Sequence, residues 1–195
     1  VAVLFRTGHS EVTRIEAFTD GVMAIVITLL MLEVKLPEMD LEGDTAIWWA
    51  LTERLPIIFA WILSLAFVLV FWVAHHGLMR QLRHADRGFL WLNGLFLLAI
   101  SFVPFPTGLF GEFPGSVPAT FLLSLAMLLA ATSFSLMHWY ASRPGDLLAP
   151  EVPLSARRKS LRRSLLAPAL ATAILVAVPV LFFVPLGGPT PKPSD

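Results

Sequence analysis

Two carboxylates one helical turn apart, Glu16 and Asp20, stand in a largely apolar run that extends from Ile15 to about Leu32. A charge held in a membrane helix costs about 2.5–3.5 kcal/mol at the bilayer centre and less near its edge, so such side chains turn toward other helices or a water-filled path. The pair therefore suits one of two tasks. It can accept hydrogen bonds from Arg, His or amide groups of neighbouring helices, or it can relay protons in a small proton-coupled transporter. His75-His76 and His138 raise a metal or haem reading, because His on facing helices ligates both. Against it, the chain has five His, no Cys and no His-Glu-x-x-His. No enzymatic activity and no cofactor are expected. Asn93 is an amide inside an apolar run and needs an interhelical partner. Trp72 either donates its indole N–H inward or belongs to an interfacial aromatic belt.

Helical geometry sorts the residues of this first run. At about 100° per residue, Leu29, Leu32, Thr28 and Leu36 fall within roughly 60° of Ile25, with Phe18 and Arg14 on the same stripe one and two turns earlier. Glu16 and Asp20 lie on roughly the opposite side, Asp20 about 140° from Ile25. The helix has one aliphatic stripe and one acidic corner. His76, Trp72 and Asn93 are the groups within reach of Asp20, and His76 is its expected partner, since it ends the next run on the same side of the membrane.

The elements that position these residues follow from composition. The chain has 195 residues, 56% hydrophobic and 14% charged, with a mean hydropathy of +0.76. A soluble domain carries about 25% charged residues, and a disordered chain needs low hydrophobicity and high net charge. Both are excluded. A net charge of zero gives no footing to nucleic-acid binding. The absence of Cys removes disulfides, zinc fingers, iron–sulfur clusters and thiol nucleophiles. A span needs about 20 mostly apolar residues, and five runs qualify: Ile15 to Leu32, Leu55–Ala74, Gly88–Thr107, Val117–Ala141 and Ser164–Leu186. The expected architecture is an all-α integral membrane protein, with 1–187 as one transmembrane domain and 188–195 as a Pro/Gly-rich tail. No signal-peptide pattern is visible, and no internal repeat of the kind many transporters show.

Charge sets the orientation. Arg6 and Arg14 precede the first run; Arg80, Arg83 and Arg87 lie between the second and third; Arg143, Arg157, Arg158, Lys159, Arg162 and Arg163 lie between the fourth and fifth. The alternate connections hold only Lys35 and Lys192, with Arg54 at the edge of the second run. The positive-inside rule then places the N-terminus in the cytoplasm and, with five spans, the C-terminus outside a cell membrane. The connection Glu33–Ile47 carries Glu33, Glu38, Asp40, Glu42 and Asp44 against Lys35. It is either a solvated loop or an acidic vestibule that concentrates cations.

Arg14-Ile15-Glu16-Ala17-Phe18-Thr19-Asp20, followed by Gly-Val-Met-Ala-Ile-Val-Ile-Thr-Leu-Leu-Met-Leu-Glu, reads as Arg-x-x-x-Phe-Thr-Asp at the head of a first helix. It resembles the Arg-x-x-x-Phe-Ser-Asp signature of the prokaryotic relatives of the lysosomal potassium channel, the transmembrane protein 175 family. Trp72-Val73-Ala74-His75-His76 and the position of Asn93 extend the likeness, which covers the first four spans. Thr19 replaces Ser and keeps the hydroxyl. Family members usually have six spans, whereas five are recognisable here.

The resemblance implies a homotetramer in the lipid bilayer whose first helices line a central pore for monovalent cations, potassium foremost. It places the narrow hydrophobic ring at Ile25, further rings at Leu29 and Leu32, and a position affecting cation preference at Thr28. Arg14, Phe18, Thr19 and Asp20 then form the motif that organises the helix, with Trp72, His76 and Asn93 as its partners. No Thr-Val-Gly-Tyr-Gly loop occurs, so a modest K⁺ preference is expected rather than stringent discrimination.

Overall fold

The computed structural model describes residues 9–35, 44–143 and 147–149, with the single positions 162, 169 and 173. Among the described residues the chain forms α1 (His9–Leu32), α2 (Asp44–Glu53), α3 (Leu55–Met79), α4 (Arg87–Ser101), α5 (Pro104–Glu112) and α6 (Val117–Ala141). Four stretches of the described residues are long and apolar enough to cross a membrane: Glu11–Leu32, Leu55–Met79, Arg87–Glu112 and Val117–Ala141. The fifth expected span, Ser164–Leu186, and the tail at 188–195 lie outside the described residues.

Local chemistry sets the helix ends. Pro56 sits in the first turn of α3, where its missing N–H costs no intrahelical bond. Asp86 caps α4 by accepting a hydrogen bond from the Phe89 N–H at 2.8 Å. The third span is broken where Pro104 removes a donor. The Phe102 and Val103 N–H groups turn back to Ala99 and Ile100 at 3.3 and 3.2 Å, and α5 starts at Pro104. Gly115, at φ 83°, turns the chain into α6, whose first turn Ser116 caps.

The observed spans are longer than the apolar runs alone. α1 starts at His9 rather than Ile15, because its core-facing repeat already includes buried Val12. α3 continues past Ala74 through both His residues to Met79. The third span runs beyond Thr107 to Glu112 and is split at 102–103. α2 was not expected; it occupies the far end of the acidic connection and exposes Trp48 and Trp49.

Packing is aromatic at the centre and small-residue at one seam. Phe71 meets Phe67, Phe96 and Phe134 at centroid separations of 4.7, 5.7 and 5.4 Å, joining α3, α4 and α6. On α6, Ala119, Ala126, Ala130 and Ser133 are buried, and such small residues let helix backbones approach closely in a membrane. At the Arg-rich end, Leu147 and Ala149 bond to the backbone of Arg83 and Gln81 at 2.8 and 3.0 Å. There the Tyr140 hydroxyl also donates to Asp86 Oδ2 at 2.8 Å. The last turn of α6 is thereby tied to the α3–α4 connection.

Candidate functional site: the two faces of the first helix

Along α1 the buried positions are Val12, Thr19, Met23, Val26 and Leu30, spaced by sevens, fours and threes as one helical face. Thr19 is fully buried, and its hydroxyl oxygen accepts a hydrogen bond from Asn93 Nδ2 at 3.1 Å. Asn93 Oδ1 lies 3.0 Å from His75 Nε2. With the amide oriented this way, Nε2 carries the proton and donates, which leaves Nδ1 as an acceptor. That Nδ1 is buried without a hydrogen-bond partner among the described residues, and the ring stacks on Phe96 at 5.9 Å and 12°. One amide thus joins α1, α3 and α4 through Thr19, His75 and itself.

A second set of contacts lies at the edge of this face. The Trp72 indole N–H donates to Asp20 Oδ1 at 2.9 Å. His76 Nδ1 meets Glu16 Oε1 at 2.8 Å, with the imidazole about half exposed. The two helices run antiparallel, so four residues forward on α1 match four residues back on α3. The result is a two-rung ladder, 16 to 76 and 20 to 72.

The structure corrects the expected partnership of Asp20. His76 belongs to Glu16, one turn away, and Asn93 belongs to Thr19 and His75; Trp72 is the group that reaches Asp20. The reason is register: the antiparallel offset sets Asp20 opposite residue 72 rather than 76. His75 was missed as a member of the anchor. A signal was available, because adjacent residues of a helix point about 100° apart, so two consecutive His cannot both face the same neighbour. Arg14 and Phe18 stand apart from the ladder. With Leu90, Asn93 and Leu97 they line an open cavity of about 480 Å³ between α1 and α4.

The other face of α1 has no partner within the described chain. Ile25 is 59% exposed, Leu32 66% and Phe18 65%, with Leu29 and Met31 also exposed. Thr28 lies beside them, and its hydroxyl donates to the Ile25 carbonyl at 2.7 Å. This bond spends the proton and leaves the oxygen lone pairs outward. No three His, Asp or Glu among the described residues come together as a metal site.

Comparison with known proteins identifies the family of the chain. The family described as endosomal/lysosomal potassium channel TMEM175 matches residues 14–104, from the Arg of the motif to Pro104 at the start of α5. A Streptomyces collinus protein named potassium channel is 36% identical over 153 residues, covering 76% of this chain and 73% of that one. The human endosomal/lysosomal proton channel TMEM175 is 28% identical over 178 residues, and the match spans 35% of the human protein. In structure, the crystal structure of a lysosomal potassium-selective channel TMEM175 homolog from Chamaesiphon minutus superposes with a TM-score of 0.64 at 32% identity. That superposition covers 90% of this chain and 95% of that one. The chain belongs to the TMEM175 family of ion channels, as a prokaryotic, all-helical, multi-pass membrane member.

Proposed function

We propose that the protein is a passive, potassium-preferring cation channel of the cell membrane, in which α1 of four copies surrounds the pore. The observation that carries this reading is the division of α1 into two faces. One face is fastened by Thr19, Asp20 and Glu16 to α3 and α4, while the opposite stripe of Ile25, Leu29 and Leu32 is left exposed. A helix fastened on one side and bare on the other suits an axis of symmetry, where equivalent stripes meet. The relatives named potassium channel supply the ion.

Ile25 forms the principal constriction, with Leu29 and Leu32 beyond it. Such a ring offers an ion no ligand and closes by dewetting. Selectivity comes from the cost of dehydration there and from the Thr28 oxygen beside it. The Lys and Arg distribution supports a cytoplasmic N-terminus. A proton-carrying reading follows from the human relative's name. A proton-coupled transporter using Glu16 and Asp20 is less favoured, since both carboxylates are engaged by α3.

Purified protein in liposomes tests the proposal. Passive K⁺ flux exceeding Na⁺ flux is expected, and uptake of solute against its gradient would instead establish a transporter. Because the chain lacks Cys, Ile25→Cys reports the axis without background. Efficient cross-linking between subunits is expected there; cross-linking confined to a position on α3 or α6 would refute the axial placement of α1.

A further inference from the structure

An apolar hollow of about 310 Å³ lies between α4 and α6, walled by Leu95, Leu98 and Phe102 on one side and by Leu129 and Leu136 on the other. The small side chains of Ala99, Thr132 and Ser133 leave the room. Ser133 spends its hydroxyl proton on the Ala130 carbonyl at 3.0 Å, so the hollow offers an occupant almost nothing polar. Leu98 is 70% exposed, and Leu95, Phe102, Leu129 and Leu136 are exposed as well. The hollow therefore opens on the surface of two membrane-spanning segments, where the surrounding medium is hydrocarbon.

The two faces that form it continue toward the Arg-rich end. On α4, Trp91 stands one turn before Leu95 and is 81% exposed; on α6, Trp139 and Arg143 follow Leu136 by three and seven residues, and both are exposed. The two helices run antiparallel, with Tyr140 bonded to Asp86 at 2.8 Å, so these residues stand at one end of the same groove. The Arg143 guanidinium lies over the Trp139 ring at 3.7 Å, and no carboxylate among the described residues pairs with it. At 1.5 Å per residue, Leu136 is about 10 Å and Leu129 about 20 Å along the helix from Arg143. One leaflet has about 15 Å of hydrocarbon beneath a headgroup layer of about 5–8 Å. The groove thus has the profile of a lipid: a cation at headgroup depth, tryptophans at the interface, and an oily hollow at chain depth.

We propose that this groove holds an anionic phospholipid of the leaflet on the Arg-rich side, with its headgroup at Arg143 and one acyl chain between α4 and α6. Charge complementarity selects the occupant. A guanidinium meets phosphate oxygens through two parallel N–H bonds, and its unneutralised charge favours a lipid that carries a net negative one. One basic residue at an anionic membrane surface is worth about 1 kcal/mol, or about fivefold in affinity. The site depends on the membrane fold and not on the pore, so its test is separate from channel activity.

The test is native mass spectrometry of the full chain after exposure to equal amounts of phosphatidylglycerol and phosphatidylcholine with the same acyl chains. The wild type is expected to retain phosphatidylglycerol about fivefold over phosphatidylcholine. Arg143→Gln brings that ratio close to one, whereas Arg80→Gln, at the same end but on α3, leaves it. Thr132→Trp fills the hollow from an exposed position and lowers retention of both lipids. Equal retention by the wild type, or an equal fall in the ratio for Arg80→Gln and Arg143→Gln, overturns the proposal. Undiminished retention by Thr132→Trp overturns the seat of the chain. A measurement without substitutions stands beside these. In vesicles, brominated chains on phosphatidylglycerol quench the tryptophan emission of the wild type more than the same chains on phosphatidylcholine, and equal quenching overturns the headgroup preference. Because the chain lacks Cys, a disulfide between subunits in Leu98→Cys would seat a second copy on the groove and overturn the lipid.

Discussion

The indole of Trp72 on α3 donates to the carboxylate of Asp20 on α1 across 2.9 Å, and this bond holds the acidic corner of the first helix away from its exposed stripe. One turn along, His76 and Glu16 repeat the contact at 2.8 Å. Two i,i+4 pairs facing each other fix both the rotation and the axial register of α1. A helix so held presents Ile25, Leu29 and Leu32 together on its other side, whatever they meet there.

Asp20→Asn is expected to destabilise the assembled protein while leaving the K⁺/Na⁺ permeability ratio of surviving channels near normal. The amide is nearly isosteric but exchanges a charge-assisted bond from Trp72 for a weaker neutral one. The loss is about 1–2 kcal/mol, read as a lower midpoint in thermal dissociation on a sizing column. A stable assembly with an altered ratio would move Asp20 into the conduction path.

Asn93→Ala removes the amide that serves both Thr19 and His75. Both partners stay buried and lose a bond, at a cost of about 1–3 kcal/mol for each group left unsatisfied. Thr19→Val and Asn93→Ala together should cost less than the sum of the two single changes. Strict additivity in a double-mutant cycle, by thermal melting in detergent, would show that the amide does not couple the helices.

The His76–Glu16 rung is worth less, because the imidazole is half exposed. A coupling of about 0.2–1 kcal/mol is expected from a cycle of His76→Gln and Glu16→Gln. It should exceed the coupling of His76 with Asp20, which the structure does not pair. The reverse order would restore the partnership that the sequence alone suggested.

Replacing Ile25 by Asn is expected to raise resting cation flux, since a polar ring stays wet where an aliphatic one expels water. K⁺ preference should weaken at the same time, because the dehydration barrier falls for both ions. Unchanged flux in a correctly assembled Ile25→Asn protein would remove Ile25 from the constriction.

Ala130→Leu probes the buried small-residue seam of α6. Ala130 is fully buried, so the added methylenes have no free volume, and overpacking of this kind costs about 1–3 kcal/mol. A lower thermal midpoint with unchanged single-channel conductance is expected. A conductance change at unaltered stability would mean that this seam moves with the pore.

Much of this protein is legible in its residues because a membrane imposes simple rules. Length and apolarity set the spans, and Val117–Ala141 has the same bounds in sequence and structure. The helical period separates the Ile25 stripe from Glu16 and Asp20, since it depends only on local geometry. Which partner each polar group takes depends on how far one helix slides past another, and no local pattern carries that offset. A slide of one turn exchanges Trp72 for His76 opposite Asp20 while leaving every span and every stripe unchanged. The break at 102–103 was marked by Pro104 and Pro106, yet the persistence of the span to Glu112 required α5 to pack against α3 and α1. His75 turns inward because Asn93 and Phe96 meet it there, and the missing side chain of Gly108 makes room for the Glu33 carboxylate, 75 positions earlier in the chain. Sequence periodicity decided which faces of the helices are polar; tertiary packing decided what those faces meet, because contact between helices far apart in the chain is a property of their register and not of either helix alone.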